Sequence, residues 1–313
     1  MIHELLARLA QGHRTAGFPA EDPVLPDRFR GRPQIDRERC PDGCRDCAEA
    51  CPTRAIDMEG GAARLDLGRC LFCTDCVDAC PHGAIGYTRD YRLAARTRGD
   101  LVLAGATLSG GGELPPPPSC GRHAPCEARG SSHPASPRGS AGGAPAAPSP
   151  FLARALDEKA RRLFGRSLKL RQVSAGGCNA CEADDSVLGT VVFDLSRFGI
   201  QFVASPRHAD GLLVTGPVSA NMRLALQKTY DAVPPPRIVI AVGACAISGG
   251  PYIGHPEVAG GAGAVLPVDL FIPGCPPHPY TILDGLLRLL GRLEERAAPV
   301  SGNSRIAEVD PNH

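Results

Sequence analysis

Twelve of the fourteen cysteines fall into a pattern that few folds can satisfy. Residues 40–56, CPDGCRDCAEACPTRAI, align with residues 70–85, CLFCTDCVDACPHGAI, once one residue is removed from the first copy. Cys44, Cys47 and Cys51 lie 29 residues ahead of Cys73, Cys76 and Cys80, and each copy continues as proline, two variable residues and Ala-Ile. A duplicated small unit with pseudo-two-fold symmetry is the simplest reading. The other four, Cys178, Cys181, Cys245 and Cys275, are spread over about a hundred residues of a different kind of sequence.

The second copy, Cys70, Cys73, Cys76, Cys80 and Pro81, is a complete C-x2-C-x2-C-x3-C-P run, and the first, Cys40, Cys44, Cys47, Cys51 and Pro52, carries one extra residue. Such runs wrap a short loop round a [4Fe–4S] cube, and the fourth cysteine of each serves the other cube. Cys40, Cys44, Cys47 and Cys80 are therefore expected at one cluster, and Cys51, Cys70, Cys73 and Cys76 at a second. Paired zinc sites also use four cysteines, but the duplicated triple followed by Cys-Pro argues against them.

Residues 168–290 alternate short apolar runs with helical stretches, which predicts a doubly wound parallel sheet. Strands are expected at 168–173, 201–204, 212–215, 238–242 and 268–272, with helices near 182–193, 220–230 and 280–293. Cys178 and Cys181 follow the first strand in GCNAC, Cys245 follows the fourth in GACAISGG, and Cys275 follows the fifth in PGCPP. The carboxyl ends of parallel strands share one edge, where ligands bind. Three strand-end loops should thus bring four thiols together for a third [4Fe–4S] cluster, with Gly176, Gly177, Gly243 and Gly274 allowing close backbone approach. The alternatives are a redox dithiol at Cys178/Cys181 with two core cysteines, or zinc.

Five regions follow. Residues 1–27 form a lead-in beginning with an amphipathic helix (Ile2, Leu5, Leu6, Leu9), and 28–104 an α+β ferredoxin-like domain. Residues 105–150 read as a disordered Pro/Gly/Ser linker. The α/β flavodoxin-like domain spans 151–297, and 298–313 is a tail. Cys120 and Cys126, with His123 between them, lie in the linker and lack an evident fourth zinc ligand. Even a flexible linker would keep the halves at high effective concentration.

Residues 168–290 resemble the small subunit of energy-converting, formate hydrogenlyase-type [NiFe]-hydrogenases, and more distantly the 20 kDa subunit of complex I. The segments that carry this are GGCNACEAD, SRFGIQFVASPRHADGLLVTGPV, KTYDAVPPPRIVIAVGACAISGG and VDLFIPGCPP. The complex I relatives usually begin the motif with adjacent cysteines, whereas Cys178 and Cys181 are spaced as in the hydrogenases. Ala180 stands where the hydrogenase motif has glycine. Residues 28–95 are similar to the ferredoxin subunit of the same complex, through FRGRP and GRCLFC, so the chain resembles a fusion of two neighbouring subunits.

The resemblance implies electron transfer through three [4Fe–4S] clusters to a nickel–iron site in a separate large subunit. It further implies membrane-arm subunits and an upstream donor such as formate dehydrogenase, CO dehydrogenase or ferredoxin. A complex I-like assembly with a 49 kDa-type partner, a nickel-free relative, and a free carrier or redox sensor are the rival readings. Glu182 is expected as a solvated carboxylate at a helix N-terminus, with proton relay the other role weighed. Arg207 and His208 are candidates for the large-subunit interface, while His255 and His278 have no assigned part.

A net charge of +1 and the absence of Trp exclude a nucleic-acid footprint. Glu4, Arg8 and His13 interrupt any signal-peptide core, and no run approaches roughly 18 apolar residues. A cytoplasmic chain, peripheral on the inner membrane through its complex, is the expectation.

Overall fold

The 29-residue offset between the cysteine runs reappears in the backbone. Helices α1 (Asp46–Glu49) and α2 (Asp75–Asp78) are separated by it, as are strands β2 (Ile56–Glu59) and β4 (Ile85–Tyr87). Matching left-handed residues occur at Gly43 and Phe72 (φ 80° and 55°) and at Arg54 and Gly83 (φ 51° and 58°). Register therefore resumes at Gly43, and the extra residue of the first copy is absorbed between Cys40 and that glycine. The computed structural model describes residues 14–36, 38–59, 62–104, 167–235 and 237–291. The expected N-terminal helix at 2–9, the linker with Cys120, His123 and Cys126, and the 298–313 tail lie outside the described residues.

In the N-terminal half, β1 (Pro33–Ile35) pairs antiparallel with β4, and β2, β3 (Ala62–Asp66) and β5 (Val102–Ala104) make a three-stranded antiparallel sheet. In the C-terminal half five strands are all parallel: β6 (Leu168–Ser174), β7 (Ile200–Phe202), β8 (Gly211–Thr215), β9 (Ile238–Val242) and β10 (Leu270–Ile272). Their order, β10-β9-β8-β6-β7, is 2-1-3-4-5 counted within the domain, a doubly wound order whose crevice opens at the strand carboxyl ends. Every residue of β8 is buried, as a central parallel strand covered on both faces requires.

Helices α3 (Ala180–Val187), α4 (Ala220–Ala232), α5 (Gly243–Ser248) and α6 (Pro279–Leu289) follow β6, β8, β9 and β10. The helix expected over 182–193 stops at Val187, because the next residues combine Gly189 with β-branched Thr190, Val191 and Val192, all poor helix formers. Phe193 turns inward instead, 5.0 Å from the Tyr280 ring. Helix α6 ends four residues short of 293, and Gly291 follows with φ 63°, the left-handed glycine that closes many helices.

The two halves share one core. Ala95 and Phe271 exchange both backbone hydrogen bonds (2.9 and 2.8 Å), so the N-terminal half covers the β10 edge of the parallel sheet. The Ser248 hydroxyl on α5 donates to the Gly68 carbonyl at 2.8 Å. A Cβ on Gly285, inside α6, would sit 2.8 Å from the Ala94 methyl group, so glycine is what lets that segment lie on the helix. The lead-in runs along the C-terminal half: Ala16 N–H donates to Val192 C=O (2.8 Å), and Arg197 to Phe18 C=O (2.9 Å). Phe18 packs against Tyr91 and Tyr280 from opposite halves, with ring centroids 6.0 and 5.4 Å away. Among the described residues no helix is long and apolar enough to cross a membrane.

Candidate metal centres

The two N-terminal thiol sets form round the short helices. Burial pushes the Cys47 thiol up to about 11, and repulsion from Cys40, Cys80 and Cys44 adds to the shift. Burial pushes Cys70 to about 12; the Phe72 N–H opposes this, while Cys76, Cys51 and Cys73 reinforce it. The fourth cysteine of each run thus faces the other run's triple. Cys51, Cys70, Cys73 and Cys76 line one cavity, walled by Ala55, Ile56, Leu65 and Tyr87. Backbone amides point at the sulfurs in both repeats: Ala55 N–H to Cys51 (3.2 Å) and Ala84 N–H to Cys80 (3.3 Å). The sets are neighbours, since Cys47 also acts on Cys76.

The remaining four thiols meet at the carboxyl edge of the parallel sheet. Cys178 lies in the loop after β6, Cys181 in the first turn of α3, Cys245 in α5 directly after β9, and Cys275 just past β10. Cys181 is pushed up by burial, then by Asp185, Cys245, Glu182 and Cys275. Burial pushes Cys245 to about 11, with Cys275 and Cys178 adding to it. Gly243 turns from β9 into α5 at φ 88°, and a Cβ there would stand 2.6 Å from the Cys181 sulfur. Cys178 and Cys275 are exposed, which leaves this set at the surface of the chain. Cys275 is raised by burial, by Cys178 and by Cys73. The second N-terminal set and the C-terminal set are therefore adjacent.

Glu182 is not a free surface carboxylate. It is half-buried and accepts from the Thr215 hydroxyl at the end of β8 (2.7 Å). Burial raises its pKa, but hydrogen bonds from Ser174, Thr215 and its own backbone N–H outweigh this and hold it below the usual value. Arg207 and His208 lie exposed on a 3-10 turn (Pro206–His208) between β7 and β8. The groups that act on Cys181, Cys245 and Cys275 are carboxylates and other thiols, not this pair. His278 caps α6, accepting from Tyr280 N–H at 3.2 Å, and burial pulls its pKa down. His255 accepts from Glu257 N–H at the surface.

Asp185 had no role in the sequence pattern, yet it is fully buried in α3. One oxygen accepts from Gln172 Nε2 (3.0 Å) and the other has no partner. Burial raises its pKa from 3.8 to about 7; the Gln172 bond opposes this, and Glu182 and Asp184 reinforce it. A raised acid holds more protons folded than unfolded, so its stabilising effect is complete below the unfolded value and is lost as pH rises through the folded one. Asp185→Asn, which stays neutral, is expected to match wild type near pH 4 and to gain up to about 4 kcal/mol on it by pH 8. Anaerobic denaturation midpoints across that range would show this; parallel curves for the two proteins would disprove it.

A [4Fe–4S] group fits these pockets by the chemistry of its donors, since four thiols meet at each. Burial is the main reason these thiols resist ionisation and repulsion among them adds to it; a cationic iron–sulfur core held there would offset both and release the protons. A single zinc needs its sulfurs at about 2.3 Å from one point. Among the described residues no three His, Cys, Asp or Glu side chains converge so tightly.

A duplicated cysteine fold docked on a doubly wound sheet with four further thiols at its strand ends defines an iron–sulfur protein of the ferredoxin-containing, multi-centre kind. Comparison with known proteins supports this. Residues 27–84 match the 4Fe-4S dicluster domain, and residues 178–289 match the NADH ubiquinone oxidoreductase, 20 Kd subunit, family. The probable membrane-bound hydrogenase subunit mbhJ of Pyrococcus furiosus is 41% identical over 132 residues, 42% of this chain and 79% of that protein. Formate hydrogenlyase subunit 7 of Escherichia coli is 44% identical over 131 residues, 42% of this chain but only 51% of its own length. An NADH-quinone oxidoreductase subunit of Clostridium beijerinckii is 44% identical over 114 residues, 36% of this chain and 68% of that protein. Through its C-terminal half, the chain belongs to the NADH ubiquinone oxidoreductase 20 kDa subunit family.

Proposed function

We propose that this chain is the electron-carrying subunit of a membrane-associated, hydrogen-evolving complex of the formate hydrogenlyase kind. In this reading Cys40, Cys44, Cys47 and Cys80 hold a first [4Fe–4S] cluster, Cys51, Cys70, Cys73 and Cys76 a second, and Cys178, Cys181, Cys245 and Cys275 a third. Filled in this way, the three sites supply one-electron relays that run in that order to a nickel–iron centre in a large subunit. The observation that carries the reading is the seam between the halves, where the Ser248–Gly68 hydrogen bond (2.8 Å) ties the helix of Cys245 to the loop before Cys70 and where Cys73 acts on Cys275.

The protein's own part is to fix those sites relative to one another and keep water from the inner ones. The Ser248–Gly68 hydrogen bond ties the helix of Cys245 to the loop leading into Cys70. Cys47, Cys70 and Cys76 are buried, whereas Cys178 and Cys275 face outward, where a large subunit would cover them. A free carrier has no use for that exposed pair at the far end of the row. The donor meets the chain on the side of Cys40 and Cys44, and formate dehydrogenase, CO dehydrogenase or a ferredoxin suits that role. Attachment to the cytoplasmic face of the membrane comes through the partner subunits.

The relatives named as NADH-quinone oxidoreductase subunits favour a second reading, a complex I-like or nickel-free assembly with a 49 kDa-type partner. Metal analysis of the native complex, captured anaerobically through this chain, separates the two. Nickel near one per chain with about thirteen irons, three cubes and the active-site iron, supports the hydrogenase. A captured large subunit with no nickel supports the second reading. A chain that brings down no large subunit would refute both.

A further inference from the structure

The two N-terminal sites are repeats of one another, but one hydroxyl breaks the symmetry. Tyr87 ends β4 and lines the cavity of Cys51, Cys70, Cys73 and Cys76. Its ring stands 6.1 Å from that of Phe72, whose backbone N–H points at the Cys70 sulfur (3.4 Å). The residue 29 positions earlier, at the matching place in the first repeat, is Met58, which has no O–H to give. Tyr87 and Cys76 share the wall of that cavity, where the phenol O–H, a donor, lies within reach of the Cys76 sulfur.

Burial and hydrogen bonding act in opposite directions at such a site. Burial disfavours the more negative, reduced state, whereas each donor to a sulfur stabilises it. The Tyr87 site is the middle one of three, and Cys70 and Cys76 are both buried there. Without compensation it would be a barrier in the middle of the row.

Building on the three-site reading above, we propose that Tyr87 is a positioning residue for reduction. Its hydroxyl, aimed at Cys76, raises the affinity of the middle N-terminal site for an electron and leaves its repeat twin unaffected.

The test is a redox titration of the anaerobic full-length protein, followed by electron paramagnetic resonance, with iron counted on the same samples. In Tyr87→Phe the ring and its packing remain and only the hydroxyl is lost. At a fixed potential the ratio of reduced to oxidised centres at one site should fall about tenfold, equivalent to about 59 mV for a one-electron couple, with iron unchanged. Met58→Tyr places a hydroxyl at the twin position and should shift the other N-terminal site the opposite way. Unchanged potentials in a fully loaded Tyr87→Phe protein would overturn the tuning role alone. Loss of about four irons from that variant would make Tyr87 a structural residue and overturn it as well. A wild-type protein whose N-terminal half binds no iron would overturn the three-site reading and this proposal together.

Discussion

Anaerobically isolated Cys245→Ser protein is expected to carry about four irons fewer per chain than wild type, while the spectra of the two N-terminal sites persist. Cys245 is half-buried in the first turn of α5, where burial and the neighbouring Cys275 and Cys178 act on it. A serine oxygen is a hard donor and a poor substitute for thiolate at iron–sulfur centres. Only one of the three strand-end loops is altered, and β9 itself stays paired between β10 and β8. On the proposed reading, a complex built with this variant should no longer pass electrons to its large subunit. Iron and activity both at wild-type level would remove Cys245 from the site.

Gly243→Ala is expected to empty or distort the same site without touching a thiol. The left-handed backbone at φ 88° costs an alanine about 1–2 kcal/mol. The added methyl would also lie 2.6 Å from the Cys181 sulfur, closer than any ordinary contact, and must drive that thiol away. Gly254→Ala isolates the two effects. Its φ is 81°, so the backbone strain is similar, but nothing lies within 4 Å of the added carbon. Gly243→Ala should lose iron from the C-terminal half, and Gly254→Ala should keep it. Equal iron in the two variants would mean that close approach of the backbone to Cys181 has no part in building the site.

The features that could be read from sequence are those set by local chemistry. The cysteine runs announce their repeat through spacing alone, and the backbone carries the same 29-residue offset through α1 and α2. Buried parallel strands read as apolar runs, which is why 238–242 is matched to the residue. Helix ends were harder to place: the run from Leu188 to Val192 is apolar enough to prolong a helical pattern, yet glycine and β-branched residues end it.

Long-range partnerships could not be read in the same way. The Ala95–Phe271 bridge is made by backbone atoms that carry no side-chain signature, and Gly285 in α6 marks an approach that only the folded pair explains. Asp185 stands among three other polar or acidic helix residues, and only the turn of α3 towards the core distinguishes it. Tyr87 did have a signal, as the place where the second repeat has a hydroxyl and the first has methionine. Glu182 looked like a solvated helix-start carboxylate because its partner Thr215 lies 33 residues away on another strand.

Iron and acid-labile sulfide counted per chain on the anaerobic full-length protein, with Mössbauer spectra of the same sample, test the three-site arrangement most directly. About twelve of each, all in [4Fe–4S] form, is the expected result. About eight of each would mean that the four thiols at the sheet edge hold no cluster, and the row from Cys40 to Cys275 would end at the seam between the two halves.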